Sequence, residues 1–432
     1  LTDVRLITVD PGHFHAALLQ KQMLRGISPR AFVYAPLGPD LLAHLNRITG
    51  FNTRTQNPAT WELEIHASPD FFERMLEDHP GEIVILSGRN RQKIDRICAS
   101  VKAGYHVLAD KPWILNSSQL PQIETALDEA ESSGVVAYDG MTERFEISSI
   151  LQKELVNEPT IFGDRVQGSA TSPAVFIESV HYLMKQVAGV PNLRPGWFFN
   201  IAEQGEGLTD VGTHLVDLVQ WTLFPKLPID YRTDIEVLSG ERWPTILSLA
   251  DFRRVTGTPH FPDDLAGAVS DNRLEYFCNN RVMYRIGGIH VQIQVEWGFE
   301  AAAGTGDTQI SVYRGSRSTI EVRQGIEENY RPELYVLPDR TQDMIEILAA
   351  VRRKLLALES TYPGLSAEHS EGRIHVTIPD YHRIGHEAHF ASLVARFFEY
   401  VQNPSSLPSW EKAQMLAKYY VTTKGVELAR SQ

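Results

Sequence analysis

The first 140 residues alternate apolar, β-branched runs with helix-periodic segments, and no feature of the chain restricts its fold more. VRLITV (Val4 to Val9), RAFVYAP, EIVILSG from Glu82, YHVLADKP and VVAYDG read as strands. HFHAALLQKQMLRG, RQKIDRICASVKAG and SSQLPQIETALDEAESSG read as helices. Strands separated by helix-length segments are joined by crossovers rather than hairpins, which predicts a mostly parallel sheet in residues 1–140. Sheets of this kind bind ligands outside the carboxyl ends of their strands, so the segment just past each strand is the place to look for chemistry.

The remaining length requires more structure. A chain of 432 residues exceeds what one hydrophobic core usually supports. With 43% hydrophobic and 22% charged residues it has the composition of a globular enzyme rather than a disordered or fibrous protein. Carboxylates outnumber Lys and Arg by 54 to 41, for a net charge of -13, which argues against a nucleic-acid partner. Cys98 and Cys278 lack metal-ligand spacing and are expected to be buried and unpaired. No apolar run is long enough to span a bilayer. The first residue is Leu rather than Met, so the expectation for localisation stays open between cytoplasm and, after loss of a leader, periplasm.

The turn after the first strand reads Asp10-Pro11-Gly12-His13-Phe14-His15-Ala16. Gly12 occupies the place where absence of a side chain lets a phosphate approach backbone, so Asp10, Gly12, His13, Phe14 and His15 are candidate cofactor contacts. A plain strand-to-helix turn is the competing reading. No acidic residue ends the second strand, and Asp40, placed in a turn, becomes the candidate ribose contact. Lys111, in Asp110-Lys111-Pro112, stands just past another strand end. It can donate to a substrate hydroxyl and favour its deprotonated form, with Pro112 fixing the backbone beside it, against the alternative of a solvated loop lysine.

Residues 141–432 have a different texture. LTDVGTHLVDLVQW, from Leu208, places Asp210, His214, Asp217 and Trp221 four, three and four apart, one polar stripe of a helix suited to moving a proton. In ESVHYLMKQVAG, read as a helix, His181 and Lys185 share a face. Arg194, Trp197 and Asn200 in RPGWFFN are candidate substrate contacts, and together with His181 and Lys185 they suggest a polyhydroxylated ligand. DIEVLSGE, RLEYFCNNRVMYRIGG, HVQIQVEWGFE, TQISVYRG and STIEVRQG read as strands. In HVQIQVEW, Val291, Ile293, Val295 and Trp297 alternate with His290, Gln292, Gln294 and Glu296, as in an antiparallel sheet with one open face. An insertion near 333–380 carries the helix QDMIEILAAVRRKLLALE and the acidic stretch LSAEHSEG. Two helices, roughly His386 to Val401 and Trp410 to Leu428, close the chain. His386, Glu387 and His389 do not have HExxH spacing, so helix packing or a pocket contact is favoured and no metal is expected.

Taken together, these motifs resemble the Gfo/Idh/MocA family, named for glucose-fructose oxidoreductase, inositol dehydrogenase and rhizopine-catabolism proteins, in its branch with an enlarged C-terminal domain. Asp110-Lys111-Pro112 is similar to that family's Glu-Lys-Pro motif. Gly205-Glu206-Gly207-Leu208-Thr209-Asp210-Val211-Gly212-Thr213-His214-Leu215-Val216-Asp217 is similar to its glycines followed by Asp-x-Gly-x-His-x-x-Asp. The resemblance implies an α/β protein with an N-terminal Rossmann dinucleotide-binding domain and a C-terminal α+β domain with a large, mainly antiparallel sheet. It implies Lys111, Asp210 and His214 as catalytic residues, with Asp210 and His214 also touching substrate and Lys111 also facing the cofactor. Asp110, Pro112 and Asp217 take supporting positions. Ser87-Gly88-Arg89-Asn90 resembles the loop before a cofactor-facing helix, which adds Ser87 and Asn90 to the cofactor contacts. The implied chemistry is hydride transfer between NAD or NADP and a secondary hydroxyl of a sugar, in a homodimer or homotetramer. Two other readings stand beside it: glycosidic cleavage through transient sugar oxidation, and non-catalytic sugar or nucleotide binding. The departure is in the phosphate loop, where Asp10 and His15 replace glycines of GxGxxG.

Overall fold

The computed structural model describes residues 4–187, 190, 191 and 193–431. They form two compact units, one of residues up to Thr142 with Ala202–Gln204 and His386–Lys412, the other of Glu143–Ile201, Gly205–Gly385 and the residues from Ala413. The segment His386–Lys412, expected from the sequence to belong to the second domain, thus clusters with the first.

The first unit holds a parallel sheet in the order β3-β2-β1-β4-β5-β6, from β1 (Leu6–Val9), β2 (Arg30–Ala35), β3 (Glu62–Ala67), β4 (Ile83–Leu86), β5 (His106–Ala109) and β6 (Ala137–Asp139). β1 and β4 are apolar and buried throughout, as parallel strands covered on both faces must be. The strand order reverses at β1, so the crevice for a ligand opens between the carboxyl ends of β1 and β4. The helices are α1 (His15–Leu18), α2 (Pro39–Thr53), α3 (Phe71–Asp78), α4 (Lys93–Lys102) and α5 (Leu120–Ser133). The helix expected over HFHAALLQKQMLRG is cut to the single turn α1, whose N-cap Phe14 offers no capping side chain.

In the second unit α6 (Ile147–Val156) and α7 (Pro159–Phe162) precede β7 (Val175–Met184), the two-residue pair β8 (Gln186–Val187) and β9 (Val190–Pro191), and α8 (Val211–Leu223). Then come β10 (Ile235–Ser248), α9 (Leu249–Thr256), β11 (Val269–Ser270), β12 (Arg273–Ile286), β13 (Ile289–Glu300), β14 (Thr308–Arg314), β15 (Ser318–Gln324), β16 (Glu333–Pro338), α10 (Met344–Ala357), β17 (Ser366–Ser370) and β18 (Arg373–Thr377). The sheet runs β10-β12-β13-β7-β14-β15-β16-β18-β17, with β11 on β12, and is antiparallel except where β13 pairs parallel with β7. Val291, Ile293, Val295 and Trp297 of β13 are buried as their alternation requires. The α11 helix (His386–Gln402) belongs to the first unit, and α12 (Ser409–Arg430) ends the chain.

One segment departs from the conformation expected of it, and another takes a form that its composition left open. ESVHYLMKQVAG is strand rather than helix as far as Met184, because β7 fills the slot between β13 and β14 and makes ladders with both; residues 188 and 189 of that segment lie outside the described residues. LSAEHSEG is the edge strand β17, hairpinned to β18 through Glu371 and Gly372, both at positive φ. Its polarity fits an exposed edge. Both cysteines are unpaired, but only Cys278 is fully buried.

Candidate active site

β1 runs into Asp10, whose φ of 45° turns the chain sharply at the crevice. The next two backbone N–H groups, of Gly12 and His13, both donate to the Ser87 carbonyl just past β4, at 2.9 and 3.1 Å. Gly88 completes the contact, since a Cβ there would lie 2.4 Å from the Asp10 carbonyl and 2.9 Å from the Gly12 nitrogen. The two turns are therefore locked backbone to backbone, and only glycine fits.

The Asp10 carboxylate neither caps a helix nor faces the crevice unpaired. Arg96 of α4 donates to it at 2.7 Å, which compensates the charge that would repel a diphosphate. A cleft of about 220 Å³ opens there, lined by Asp10, Pro36, Arg89, Arg91, Gln92 and Arg96. Asp40 is in the first turn of α2 rather than a loop, and its carboxylate pairs with Arg89 at 3.4 Å. Arg91 pairs with Glu203 at 3.6 Å. Guanidinium groups at the strand ends, beside tightly packed turns, fit the phosphates and ribose of a dinucleotide. The loop differs from a glycine-rich one in that two of its N–H donors already serve Ser87.

Other predicted contacts are engaged within the protein. The Asn90 side chain is buried, donates to the Gln204 carbonyl at 2.8 Å and accepts from Lys93 at 2.5 Å, so it braces the crevice wall. The Asp110 carboxylate is a hub. Its Oδ1 accepts from the backbone N–H of Lys111 at 3.1 Å, and its Oδ2 accepts from Ser87 Oγ at 3.1 Å, His13 Nδ1 at 2.8 Å and His15 Nδ1 at 3.0 Å. Burial alone would raise its pKa, but the adjoining histidines outweigh that and hold the carboxyl well below the usual range. Phe14 is partly exposed and packs edge-on against His15. Lys111 follows the hub, joined to Pro112 by a cis peptide.

In the second unit, the chain reaches α8 through a buried turn. Glu206 is buried and takes Arg242 at 3.0 Å, Arg430 at 2.9 Å and Asn280 Nδ2 at 3.0 Å. Gly207 has no room for a side chain, because a Cβ would lie 2.0 Å from the Cys278 carbonyl. Asp210 is the N-cap of α8 and His214 is one turn along, both half-buried. Asp217 leaves the polar stripe for the core: Arg144 grips it at 2.7 Å through both oxygens, and Lys418 adds a third contact at 3.1 Å. Burial opposes its ionisation, yet these two cations hold its pKa below the ordinary carboxylate value. Asp217 thus fixes the helix that carries His214.

β7 brings His181 and Lys185 together by a route the sequence does not reveal. Both donate to Asp307, at 2.9 and 2.5 Å, and His181 Nε2 pairs with Ser179 Oγ at 2.8 Å. Arg194 lies over the rings of Phe198 and Trp297, at 4.5 and 5.0 Å, and donates to the Leu183 carbonyl at 2.9 Å. Its pKa is lowered, chiefly by burial and against the pull of Tyr276, Asp210 and Asp307. His181, Lys185, Arg194 and Asp210 are therefore one charged, aromatic-walled cluster, with Asp307, Tyr276 and Trp297 as members that motif spacing does not indicate. Trp197 lies in the short turn before Asn200, whose side chain donates to Asp264 at 2.9 Å.

A doubly wound parallel sheet with a ligand crevice at its reversal point, followed by a large open-faced sheet, defines the class of dinucleotide-binding oxidoreductase folds. Residues 151–430 match the family model described as "Putative oxidoreductase C terminal domain". A crystal structure of a "putative oxidoreductase" from Parabacteroides merdae ATCC 43184 is 42% identical, covers 100% of this chain and 98% of its own, and superposes with a TM-score of 0.95. The chain belongs to the Gfo/Idh/MocA-type oxidoreductase family. More distant structures share the fold. GenD2 from gentamicin A biosynthesis, solved with NAD, is 14% identical with a TM-score of 0.58 over 100% of this chain and 95% of its own. The 3-ketoreductase KijD10 from Actinomadura kijaniata, solved with NADP and TDP-benzene, is 13% identical with a TM-score of 0.56 over 97% of each chain. No curated protein matches the chain.

Proposed function

We propose that the protein is an NAD(P)-dependent oxidoreductase acting on a secondary hydroxyl, or the corresponding ketone, of a sugar or sugar derivative. The observation that carries this reading is the placement of Asp210 and His214 one turn apart at the start of α8, with Asp210 close enough to act on Arg194 of the cluster that holds His181 and Asp307. The nicotinamide, when bound, supplies hydride acceptance and return. The crevice arginines, Arg89, Arg91 and Arg96, hold its phosphates. His214 takes the proton from the reacting hydroxyl and returns it in reduction. Lys111, from its likeness to the lysine of the family's Glu-Lys-Pro motif, stabilises negative charge developing on a substrate oxygen. Asp210 accepts a hydrogen bond from a neighbouring hydroxyl and so orients the carbon that reacts. Asp307, with His181 and Lys185, offers charged contacts to a polyhydroxylated or anionic ligand, and Trp297 an apolar face for a sugar ring.

The test is a panel of sugars and keto-sugars with NAD and NADP, followed by nicotinamide absorbance and product analysis. Stoichiometric absorbance change with one cofactor is expected. Product release without net change in nicotinamide would replace the proposal with redox-assisted cleavage. His214→Ala should bind dinucleotide as the parent does and lose at least ~100-fold in turnover. Unchanged turnover would strip His214 of the proton-transfer role.

A further inference from the structure

We propose that His13, His15 and Asp110 form a binding site for a divalent transition-metal ion of the zinc type, supported by His386. This inference is independent of the proposed redox activity, and its measurement needs no substrate.

The three groups come from two segments. His13 and His15 follow β1, Asp110 follows β5, and each presents one ligand atom within 4.8 Å of the others. The Nδ1 atoms of both imidazoles lie 2.8 and 3.0 Å from the same oxygen, Asp110 Oδ2. Three protein ligands around a tetrahedral zinc at about 2.0–2.1 Å would stand roughly 3.3 Å from one another. The two imidazole-to-carboxylate distances therefore open by a few tenths of an ångström to admit an ion. Two histidines and a carboxylate, leaving positions open for water or another ligand, are a donor set for zinc or iron(II) rather than magnesium or calcium.

The surroundings favour ligation. The site is not sealed, because the His13 side chain is 40% exposed against 8% for Asp110, which gives an ion a route in. The far nitrogen of His15 lies 2.7 Å from His386 Nε2, and the rings of His386 and Phe390 stack on His15 at 5.0 and 4.8 Å. When Nδ1 binds a metal, the imidazole proton moves to Nε2 and His386 accepts it. A hydrogen-bond acceptor at that position orients a ligating histidine and strengthens its basicity. His386, at the first residue of α11, thereby acquires a positioning role that helix packing does not provide.

The experiment takes the full chain, strips it with a chelator and titrates it with Zn²⁺ by equilibrium dialysis with elemental analysis, in parallel with Co²⁺ read by visible absorption. One equivalent of tightly bound ion per chain is expected, with a Co²⁺ spectrum of four- or five-coordinate nitrogen and oxygen ligation. His13→Ala, at the exposed rim, should weaken binding at least tenfold, and His386→Ala should weaken it roughly tenfold through loss of the outer partner. Thermal unfolding of each variant without metal separates misfolding from ligand loss. Uptake below a tenth of an equivalent by the parent, an octahedral water-like Co²⁺ spectrum, or undiminished binding by folded His13→Ala would each overturn the site.

Discussion

Replacing Asp217 by Asn tests the claim that α8 is held by a buried charge cluster rather than by apolar packing alone. Asp217 is 2% exposed, Arg144 9% and Lys418 0%, so the three charges are almost wholly removed from water. An amide keeps the volume and part of the hydrogen bonding but withdraws the anion from two buried cations. Removing one partner from a buried pair costs about 3–5 kcal/mol, chiefly because the remaining charge is left uncompensated. At about 2–4 °C per kcal/mol for a domain of this size, the melting temperature should fall by roughly 6–20 °C. Lys418→Met is the contrast. It leaves the two-point grip of Arg144 on Asp217, and it should cost far less. The sign with pH follows from linkage. The folded carboxyl has a lowered pKa, so its stabilisation is fully present above the unfolded value near ~4 and is lost as pH falls below it toward the folded value. The gap between parent and Asp217→Asn, measured by urea unfolding from neutral pH downward, should therefore narrow in acid. A neutral-pH loss under about 1 kcal/mol, or a gap that does not change with pH, would refute the electrostatic account.

Three further perturbations follow from the geometry. Gly88→Ala forces a Cβ toward the Asp10 carbonyl, at 2.4 Å without relaxation, so the crevice turns must separate; dinucleotide affinity in a fluorescence titration should fall at least tenfold, and unchanged affinity would count against a cofactor role for the locked turns. Gly207→Ala meets the Cys278 carbonyl at 2.0 Å and should cost about 1–3 kcal/mol in denaturant unfolding, unlike alanine at Gly50, where nothing lies within 4 Å. Asp307→Asn weakens the anchor shared by His181 and Lys185, which are partly exposed; stability should change by less than ~1 kcal/mol while KM rises more than kcat falls, and an unchanged KM would exclude the cluster from substrate contact.

What could be read in advance depended on whether the physical cause was local. Leu6–Val9 and Ile83–Leu86 are unbroken apolar runs because parallel strands are covered on both faces, so the sheet was visible from these residues. β3 and β17 lie at sheet edges with polar, solvent-facing residues, and the same pattern logic passes over them. β7 shows a deeper ambiguity. His181 and Lys185 are four apart, which suits a helix face, yet same-side positions in an extended strand also recur at even spacing; ladders to β13 and β14 decide the matter, and they are tertiary. The site divides in the same way. Asp210 and His214 are related by one helix turn, so spacing brings them together. Asp217 has the same periodicity but a different role, because Arg144 and Lys418 approach it from 73 and 201 residues away. His386 meets His15 across 371 residues, and no ligand motif of fixed spacing can anticipate a group assembled from three segments. The two imidazoles after β1, one of them in place of a glycine, were the one local sign. Two bulky side chains in so tight a turn need partners, and Asp110 and His386 supply those partners only once β5 and α11 are in place.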